Sequence, residues 1–190
     1  MLPMVAIKVG VSSASNFSIK FQYAWEGTMM IIRDAAREDL EAITAIFNST
    51  IAGRMVTANS SEVSVESRIP WFEAHLPGKM PLWVAEEKEI AGWLGFQPFN
   101  SRPAYHATVE ISLYIAKSYR RSGVGTRMFE YAVSQCPQLH IKTLVGLIFA
   151  HNEPSISLVE KLGFKRWGLL PGVAELDEVE RDLAIYGFRV

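Results

Sequence analysis

Several features that would point directly to a function are missing from this sequence of 190 residues. Its single cysteine, Cys136, excludes an internal disulfide and a cysteine-rich zinc site, and fits a reducing compartment. Lysine and arginine number 19 against 20 for aspartate and glutamate, with no basic run long enough to follow a nucleic-acid backbone. No apolar run reaches the roughly 20 residues of a membrane-spanning helix. We therefore expect a cytoplasmic protein without a nucleic-acid or membrane partner.

Apolar residues are plentiful, at 49% of the chain, which is enough for the core of one domain. The apolar run from Leu2 to Ile7 is interrupted by Lys8 and has no basic region before it, so it fits a secretory signal poorly. The regular patterns begin near Met30. We predict one domain over residues 30–190 and an N-terminal extension over residues 1–29, whose order and authenticity stay open.

Hydrophobic periodicity predicts the elements of that domain. A short strand at Met30–Arg33 precedes an amphipathic helix over 40–51, and Pro70 should kink or shorten a second helix. The run Thr108–Ile115 alternates most regularly, with Glu110, Ser112 and Tyr114 on its polar face. The whole order is β-α-α-β-β-β-α-β-α-β-β. It predicts an α/β fold with a mixed, mainly antiparallel sheet of about seven strands flanked by about four helices.

The strongest functional signal is the run from Arg120 to Thr126, Arg-Arg-Ser-Gly-Val-Gly-Thr, between a strand and a helix. Gly123 and Gly125 allow close backbone approach, and the N–H groups of the helix start favour an anion. Arg120 and Arg121 can add charge-assisted hydrogen bonds. The spacing completes neither a Walker loop nor a dinucleotide fingerprint. It predicts a pyrophosphate site, the alternative being a tight turn beside solvated arginines.

This run matches the acetyl-CoA pyrophosphate motif Arg/Gln-x-x-Gly-x-Gly/Ala, and the sequence resembles the GNAT N-acetyltransferase superfamily. Two stretches, 108–115 and 152–164, are similar to the fourth strand and the C-terminal helix of its phosphinothricin acetyltransferase branch. Upstream, Arg68, Trp71, Phe72 and His75 stand where that branch has similar residues. The resemblance extends from Met30 to the end. It implies the GNAT fold, acetyl-CoA as acetyl donor, and a homodimer.

The resemblance also implies the residues that bind acetyl-CoA. The pantetheine arm would pair with the strand backbone at Leu113, Tyr114 and Ile115. The pyrophosphate would contact the loop and helix start, namely Arg120, Arg121, Ser122, Gly123, Val124, Gly125 and Thr126. Asn152 would hydrogen-bond the arm, with Ser155 beside it, unless Asn152 only caps the helix that follows.

Acetyl transfer to an amine needs a base, because only the neutral amine has a lone pair for attack. Glu110 lies on the polar face of the strand that leads to the phosphate loop, and the resemblance puts the branch's proposed catalytic glutamate there. A strand carboxylate paired with an arginine is the alternative. Relatives have a Tyr or His in the last helix as general acid, where this chain has Val159. Either Tyr114 or a water molecule would then protonate the leaving thiolate, or the thiolate would leave unprotonated.

Acceptor recognition has the weakest sequence signal. Arg54 and Arg102 are the available cations for a substrate carboxylate, and the remaining candidates for the pocket are Thr57, Tyr105, Glu110 and Ser112. The four histidines lack metal-ligand spacing, so no metal is expected.

From the residues and the resemblance together, we predict direct transfer, in a ternary complex, to the amino group of a small amino acid or analogue. The branch's typical acceptors are phosphinothricin, methionine sulfoximine and methionine sulfone. Two alternatives stay open. One is an acetyltransferase for a protein N-terminus or a polyamine, and the other is a non-catalytic acyl-CoA-binding regulatory module.

Overall fold

Nine strands form one mixed sheet in the part of the chain that the structure describes, a computed structural model of residues 6–9, 20–25, 28–75 and 77–190. The strands are β1 Ala6–Val9, β2 Lys20–Trp25, β3 Thr28–Asp34, β4 Leu82–Glu86, β5 Ile90–Pro98, β6 Thr108–Ile115, β7 Thr143–Phe149, β8 Lys165–Leu176 and β9 Val179–Arg189. The α-helices are α1 Leu40–Asn48, α2 Ile69–Glu73, α3 Val124–Gln135 and α4 Glu153–Lys161.

The sheet order is β1-β2-β3-β4-β5-β6-β7-β9-β8, and only the β6–β7 pair is parallel. A parallel pair needs a crossover connection, and α3 supplies it between β6 and β7. From β3 onward the chain has seven strands and four helices in the predicted order. The predicted fold class is therefore confirmed.

Two more strands extend the sheet beyond β3. β2 pairs antiparallel with β3 from Phe21 opposite Ile32 to Trp25 opposite Thr28, and β1 pairs with β2. Both come from the segment expected to be an N-terminal extension, as do the first two residues of β3, and residues 1–5, 10–19 and 26–27 of that segment lie outside the described residues. The domain boundary at residue 30 stays a prediction.

Helices cover both faces of the sheet. On one face, Met128 of α3 joins a core cluster with Leu94 and Leu144, against which α4 also packs. On the other face, Phe47 of α1 packs with Trp93 in a second cluster. Adjacent β5 residues thus point to opposite clusters, as strand alternation requires. Within the described ranges, no helix is long and apolar enough to cross a membrane.

The second helix is only five residues long. A 3-10 turn at Glu66–Arg68 leads into α2, and Pro70 lies in its first turn, where an amide N–H would have no intrahelical partner. Of the two effects expected of Pro70, a kink or a short helix, the short helix is observed.

Gly92 of β5 lies very close to β6. A Cβ built on Gly92 would lie 2.7 Å from both the backbone oxygen of Tyr114 and Cδ1 of Ile115. The two backbones therefore approach each other closely at this glycine, on the two strands that lead to the cleft described below.

Gly92→Ala should destabilise the fold by about 1–3 kcal/mol, because the added methyl meets backbone that cannot move without separating β5 from β6. Thermal unfolding should show a fall in Tm of several degrees. Gly168→Ala is the matched control, since its Cβ would lie 3.6 Å from Cδ1 of Ile185, an ordinary contact. Equal Tm values for the two variants would contradict the tight fit at Gly92.

Candidate active site

The parting of two central strands creates the main cleft. β6 and β7 pair only through Thr108, Val109 and Glu110, opposite residues 143–145. Beyond Glu110 the β7 side of β6 pairs with no other described strand, so its backbone N–H and C=O groups are available to a ligand. A cavity of about 380 Å³, the inner cavity, lies at this opening. A second cavity of about 580 Å³, the outer cavity, adjoins it toward the start of α3. The two share lining residues, including Leu113, Tyr114, Asn152 and Ser155.

The outer cavity contains the predicted phosphate loop. Gly123 precedes α3 with φ of 82°, a left-handed conformation that a glycine adopts without strain, and Arg121 has φ of 64°. The Ser122 hydroxyl donates to the Tyr119 backbone oxygen at 2.6 Å, which closes the turn. Arg120 and Arg121 are exposed beside the first turn of the helix. The loop therefore presents helix-start N–H groups and two cations to one space.

Six of the seven residues predicted to bind pyrophosphate line this outer cavity, and Ser122 does not. The cavity is also lined by Leu113, Tyr114 and Ile115 of β6. Asn152 and Ser155 line it as well. The structure thus brings together all but one of the residues that the resemblance implied, and their contact with acetyl-CoA stays a prediction.

Glu110 lies at the closed end of the inner cavity. Its Oε1 accepts a hydrogen bond from Nε2 of Gln97 on the neighbouring strand at 3.1 Å. Burial raises the pKa of Glu110 above the usual glutamate value, and the bond from Gln97 opposes part of that rise. Glu110 takes part in no ion pair with any described residue. The alternative of a carboxylate neutralised by an arginine therefore does not describe this side chain.

Tyr114 lies two alternations further along β6, on the same face. Its ring stacks on Trp93, with centroids 4.4 Å apart and planes 14° apart, and contacts Phe47 at 5.5 Å. Burial raises the pKa of Tyr114 to about 12, while the Arg68 charge and the Thr57 hydroxyl act in the opposite direction. The phenol therefore stays protonated across the neutral range.

Asn152 joins two segments at the wall of the cleft. Its Oδ1 accepts from the Ser155 backbone N–H at 3.2 Å, so it caps α4, and its Nδ2 donates to the Met55 backbone oxygen at 2.8 Å. Next to it, Nε2 of His151 lies 2.9 Å from the Arg54 backbone oxygen. Asn152 therefore does serve as a helix cap, and a further contact with a cofactor stays a prediction.

The residues predicted for the acceptor pocket separate into two groups. Thr57, Glu110 and Ser112 line the inner cavity. Arg54 instead forms an ion pair with Asp177 at 2.7 Å. Arg102 and Tyr105 lie on an exposed loop between β5 and β6. The structure does not bring these last three residues to either cavity.

Some lining residues were not predicted. From β7 the inner cavity includes Gly146, Leu147 and Phe149, and the only sequence signal was a glycine inside an apolar strand. Val159 also lines the cavity, so the position expected to hold a general acid faces it with an apolar side chain.

Arg68 forms an unexpected cation–aromatic cluster behind Tyr114. Its guanidinium carbon lies 3.7 Å from the ring centroid of Trp71 and 4.7 Å from that of Phe47. Burial lowers the pKa of Arg68. The spacing of Arg68 and Trp71, three apart at the start of α2, is the sequence signal for this contact.

A metal site finds no support in the part of the chain that is described. No group of three or more His, Cys, Asp or Glu side chains there could hold a metal ion. Cys136 is buried, and burial raises the pKa of its thiol to about 11, which leaves it inert as a nucleophile near neutral pH.

Comparisons with known proteins agree with this arrangement. The model of the "Acetyltransferase (GNAT) family" matches residues 31–164. Bacillus subtilis YwnH, which carries a provisional name as a phosphinothricin acetyltransferase, is 47% identical over 160 residues, or 83% of this chain and 98% of YwnH. An L-methionine sulfoximine/L-methionine sulfone acetyltransferase of Pseudomonas aeruginosa is 27% identical over 146 residues, 76% of this chain and 85% of that protein.

Among solved structures, the phosphinothricin acetyltransferase of Sinorhizobium meliloti in complex with acetyl-CoA is 25% identical, with a TM-score of 0.78 over 84% of this chain and 87% of that one. The splayed strands, the glycine-arginine loop and the family match lead to one conclusion: the chain belongs to the GNAT family of acetyltransferases.

Proposed function

We propose that this protein transfers an acetyl group from acetyl-CoA directly to the amino group of a small amino acid or amino-acid analogue. One observation carries the proposal. Glu110, a half-buried carboxylate without an ion-pair partner among the described residues, lies at the closed end of a cleft whose open end is the Arg120–Gly125 loop. A base and an anion site are thus joined by a strand with free backbone groups.

Acetyl-CoA fits the residues that are present. Arg120, Arg121 and the first N–H groups of α3 would hold its pyrophosphate, since exposed guanidinium groups and a helix start both favour phosphate oxygens. The unpaired edge of β6 at Leu113–Ile115 would pair with the amide groups of the pantetheine arm. Acetyl-CoA supplies the activated thioester.

The protein's own part in the reaction is to receive and hold a proton. Glu110 takes it from the acceptor ammonium, directly or through a water molecule, so that the neutral amine attacks the thioester carbonyl. Burial, which raises the pKa of Glu110, makes the carboxylate a stronger base once it is ionised. Val159 cannot donate a proton to the leaving thiolate. Tyr114, whose pKa of about 12 keeps it protonated, is the phenol that lines the cleft.

An amino acid or analogue suits the charge of the cleft. Glu110 is the only charged residue among the described residues that line the inner cavity. A polyamine acceptor would call for several carboxylates there. Relatives named for methionine sulfoximine, methionine sulfone and phosphinothricin support the amino-acid class, with Thr57 and Ser112 as polar contacts beside Glu110.

Glu110→Gln should reduce turnover about 10²–10⁴-fold, the range for loss of a general base, while acetyl-CoA binding survives. The test follows thiol release from acetyl-CoA with phosphinothricin, methionine sulfoximine, methionine sulfone, common amino acids, polyamines and N-terminal peptides as acceptors. Isothermal calorimetry measures acetyl-CoA binding in parallel. Glu130→Gln, an exposed carboxylate on α3, is the matched control and should keep full activity.

Three outcomes are distinct. Turnover of an amino-acid analogue that is lost in Glu110→Gln supports the proposal. Turnover only of polyamines or peptides would change the acceptor class and keep the reaction. Tight acetyl-CoA binding without release for any acceptor would contradict catalysis and favour a regulatory acyl-CoA-binding module.

The acid limb of the pH profile should lie above the usual glutamate range, because Glu110 must be ionised to accept a proton and burial raises its pKa. Activity should therefore fall as pH falls through the raised pKa. Folding stability has the opposite sign: the buried charge costs stability above that pKa, so Glu110→Gln should unfold at an equal or higher Tm at pH 8, with the difference vanishing at low pH. A limb at the pKa of an exposed glutamate would rule out this assignment.

We also propose that two copies associate through β8. It is the outermost strand at one end of the described sheet, and exposed apolar residues lie along it, among them Trp167, Leu169, Leu170 and Val173. A long apolar edge strand left uncovered is a site of association. A second copy would cover it edge to edge.

Light scattering coupled to size exclusion should then give twice the 21.3 kDa of one chain. Leu169→Lys should shift the protein to the monomer mass, because it places a charge in the covered surface. Val190→Lys, at an exposed apolar position at the C-terminus, is the control and should remain dimeric. A monomeric wild-type protein would contradict this proposal.

A further inference from the structure

The inner cavity has two chemically different ends. Glu110, Ser112 and Thr57 are on the side of the sheet covered by α1 and α2, since Glu110 and Tyr114 alternate with the residues that face α3. On the other side the cavity continues as an apolar recess between β6, β7, α3 and α4. The recess is lined by Ile111, Phe129, Gly146, Val159, Leu162 and Phe164.

Gly146 is the informative residue of this recess. It lies inside β7 opposite Tyr186, which belongs to the core cluster on the α3 side, so a side chain at 146 would point the same way. A Cβ built there would meet nothing closer than Cδ1 of Ile148 at 4.0 Å. The space beside the strand is therefore open, and the absence of a side chain at Gly146 enlarges it.

Val159 of α4 also lines the recess. Its position faces the cavity with an apolar side chain, and no charged residue lines the recess among those described. A polar side chain at 159 would have filled part of the space and made it unsuitable for hydrocarbon. The two residues together leave an apolar surface, which favours an apolar group by the area that binding removes from water.

The size of the cleft exceeds what an acetyl group needs. An apolar protein cavity of about 150 Å³ holds a benzene ring, whereas an acetyl group places one methyl carbon beyond its carbonyl. The whole inner cavity is about 380 Å³. The acceptor and the end of the pantetheine arm would share this volume, so the space for further carbons is the open recess beside Gly146.

We propose that the apolar recess receives acyl chains longer than acetyl, so that propionyl-CoA and butyryl-CoA are also donors. This inference rests on the proposed function and extends it to the donor. The chemistry is unchanged. One ammonium proton passes to Glu110 and on to solvent water, and the neutral nitrogen forms a bond to the acyl carbonyl carbon. The carbon–sulfur bond breaks, and the second proton that the nitrogen loses as the amide forms protonates the released thiolate. Only the hydrocarbon beyond the carbonyl differs.

The first measurement compares acetyl-, propionyl- and butyryl-CoA in thiol release, with methionine sulfone as acceptor. A recess of this kind keeps kcat/KM for propionyl-CoA within tenfold of that for acetyl-CoA, since each buried methylene is worth about fourfold in favour of the longer chain. A larger fall, as in a pocket that ends at the acetyl methyl, would overturn the inference.

The second measurement fills the recess. Gly146→Val places two methyl groups into the open space on a strand that tolerates a β-branched residue, so the ratio of kcat/KM for butyryl-CoA to that for acetyl-CoA should fall at least tenfold. Gly168→Ala, on β8 and outside both cavities, should keep the wild-type ratio. A folded Gly146→Val with the wild-type ratio would place the acyl chain elsewhere and overturn the inference.

Two further arms keep the test decisive. If Gly146→Val fails to fold by circular dichroism, Gly146→Ala and Val159→Ile narrow the recess by smaller steps and should lower the same ratio. Calorimetric affinities of the three CoA thioesters, measured without acceptor, separate the two proposals. If acetyl-CoA is turned over and the two longer thioesters are not, the inference about longer acyl donors is contradicted and the proposed acetyltransferase function is kept. Binding of all three thioesters without any turnover contradicts the proposed function. The affinity for butyryl-CoA relative to that for acetyl-CoA then tests the recess: a fall in this ratio in Gly146→Val supports it, and an unchanged ratio contradicts it.

Discussion

The separation of β6 from β7 after Glu110 is the constraint on which the site depends. The two strands share three residue pairs and then part, so the edge of β6 facing β7 loses its strand partner while its other edge stays paired with β5. A sheet interior normally leaves no backbone groups free. Here the parallel pairing ends early, and the cleft, the free backbone edge and the position of Glu110 at the closed end all follow from it.

Burial of the central strand raises the pKa values of the titratable side chains in the site. Glu110 and Tyr114 are on a central strand and are partly enclosed by α1, α2 and β5, which is why burial raises the pKa of both. The same side chains on an edge strand would titrate near their usual values. The Tyr114 ring stacks on Trp93 and lies near Arg68, and these contacts form one wall of the cleft.

Long-range contacts keep the walls of the cleft in place. Asn152 connects the start of α4 to the loop after α1, and Arg54 connects that loop to the β8–β9 turn through Asp177, 123 residues away. The exposed ion pair adds little to stability, but the geometry restricts the loop that carries Thr57 to the cleft. The loop is thus positioned by polar contacts rather than by a helix or strand of its own.

The sequence by itself determined the order of seven strands and four helices and the glycine-containing turn at residues 120–125. These features depend on local periodicity and on glycine positions, and neighbouring residues are sufficient to encode them. Glu110 could be predicted as a base because strand alternation put it on a polar face, and the resemblance added its role.

Only the tertiary structure decided which charges and spaces belong to the cleft. Arg54 was a reasonable partner for a substrate carboxylate until the fold placed Asp177 beside it, and the exposed loop carries Arg102 away from both cavities. Gly146 reads in the sequence as a weak point in a strand, and becomes the wall of a recess once α3 and α4 cross behind it. Partners so distant along the chain are chosen by topology, which no local pattern specifies.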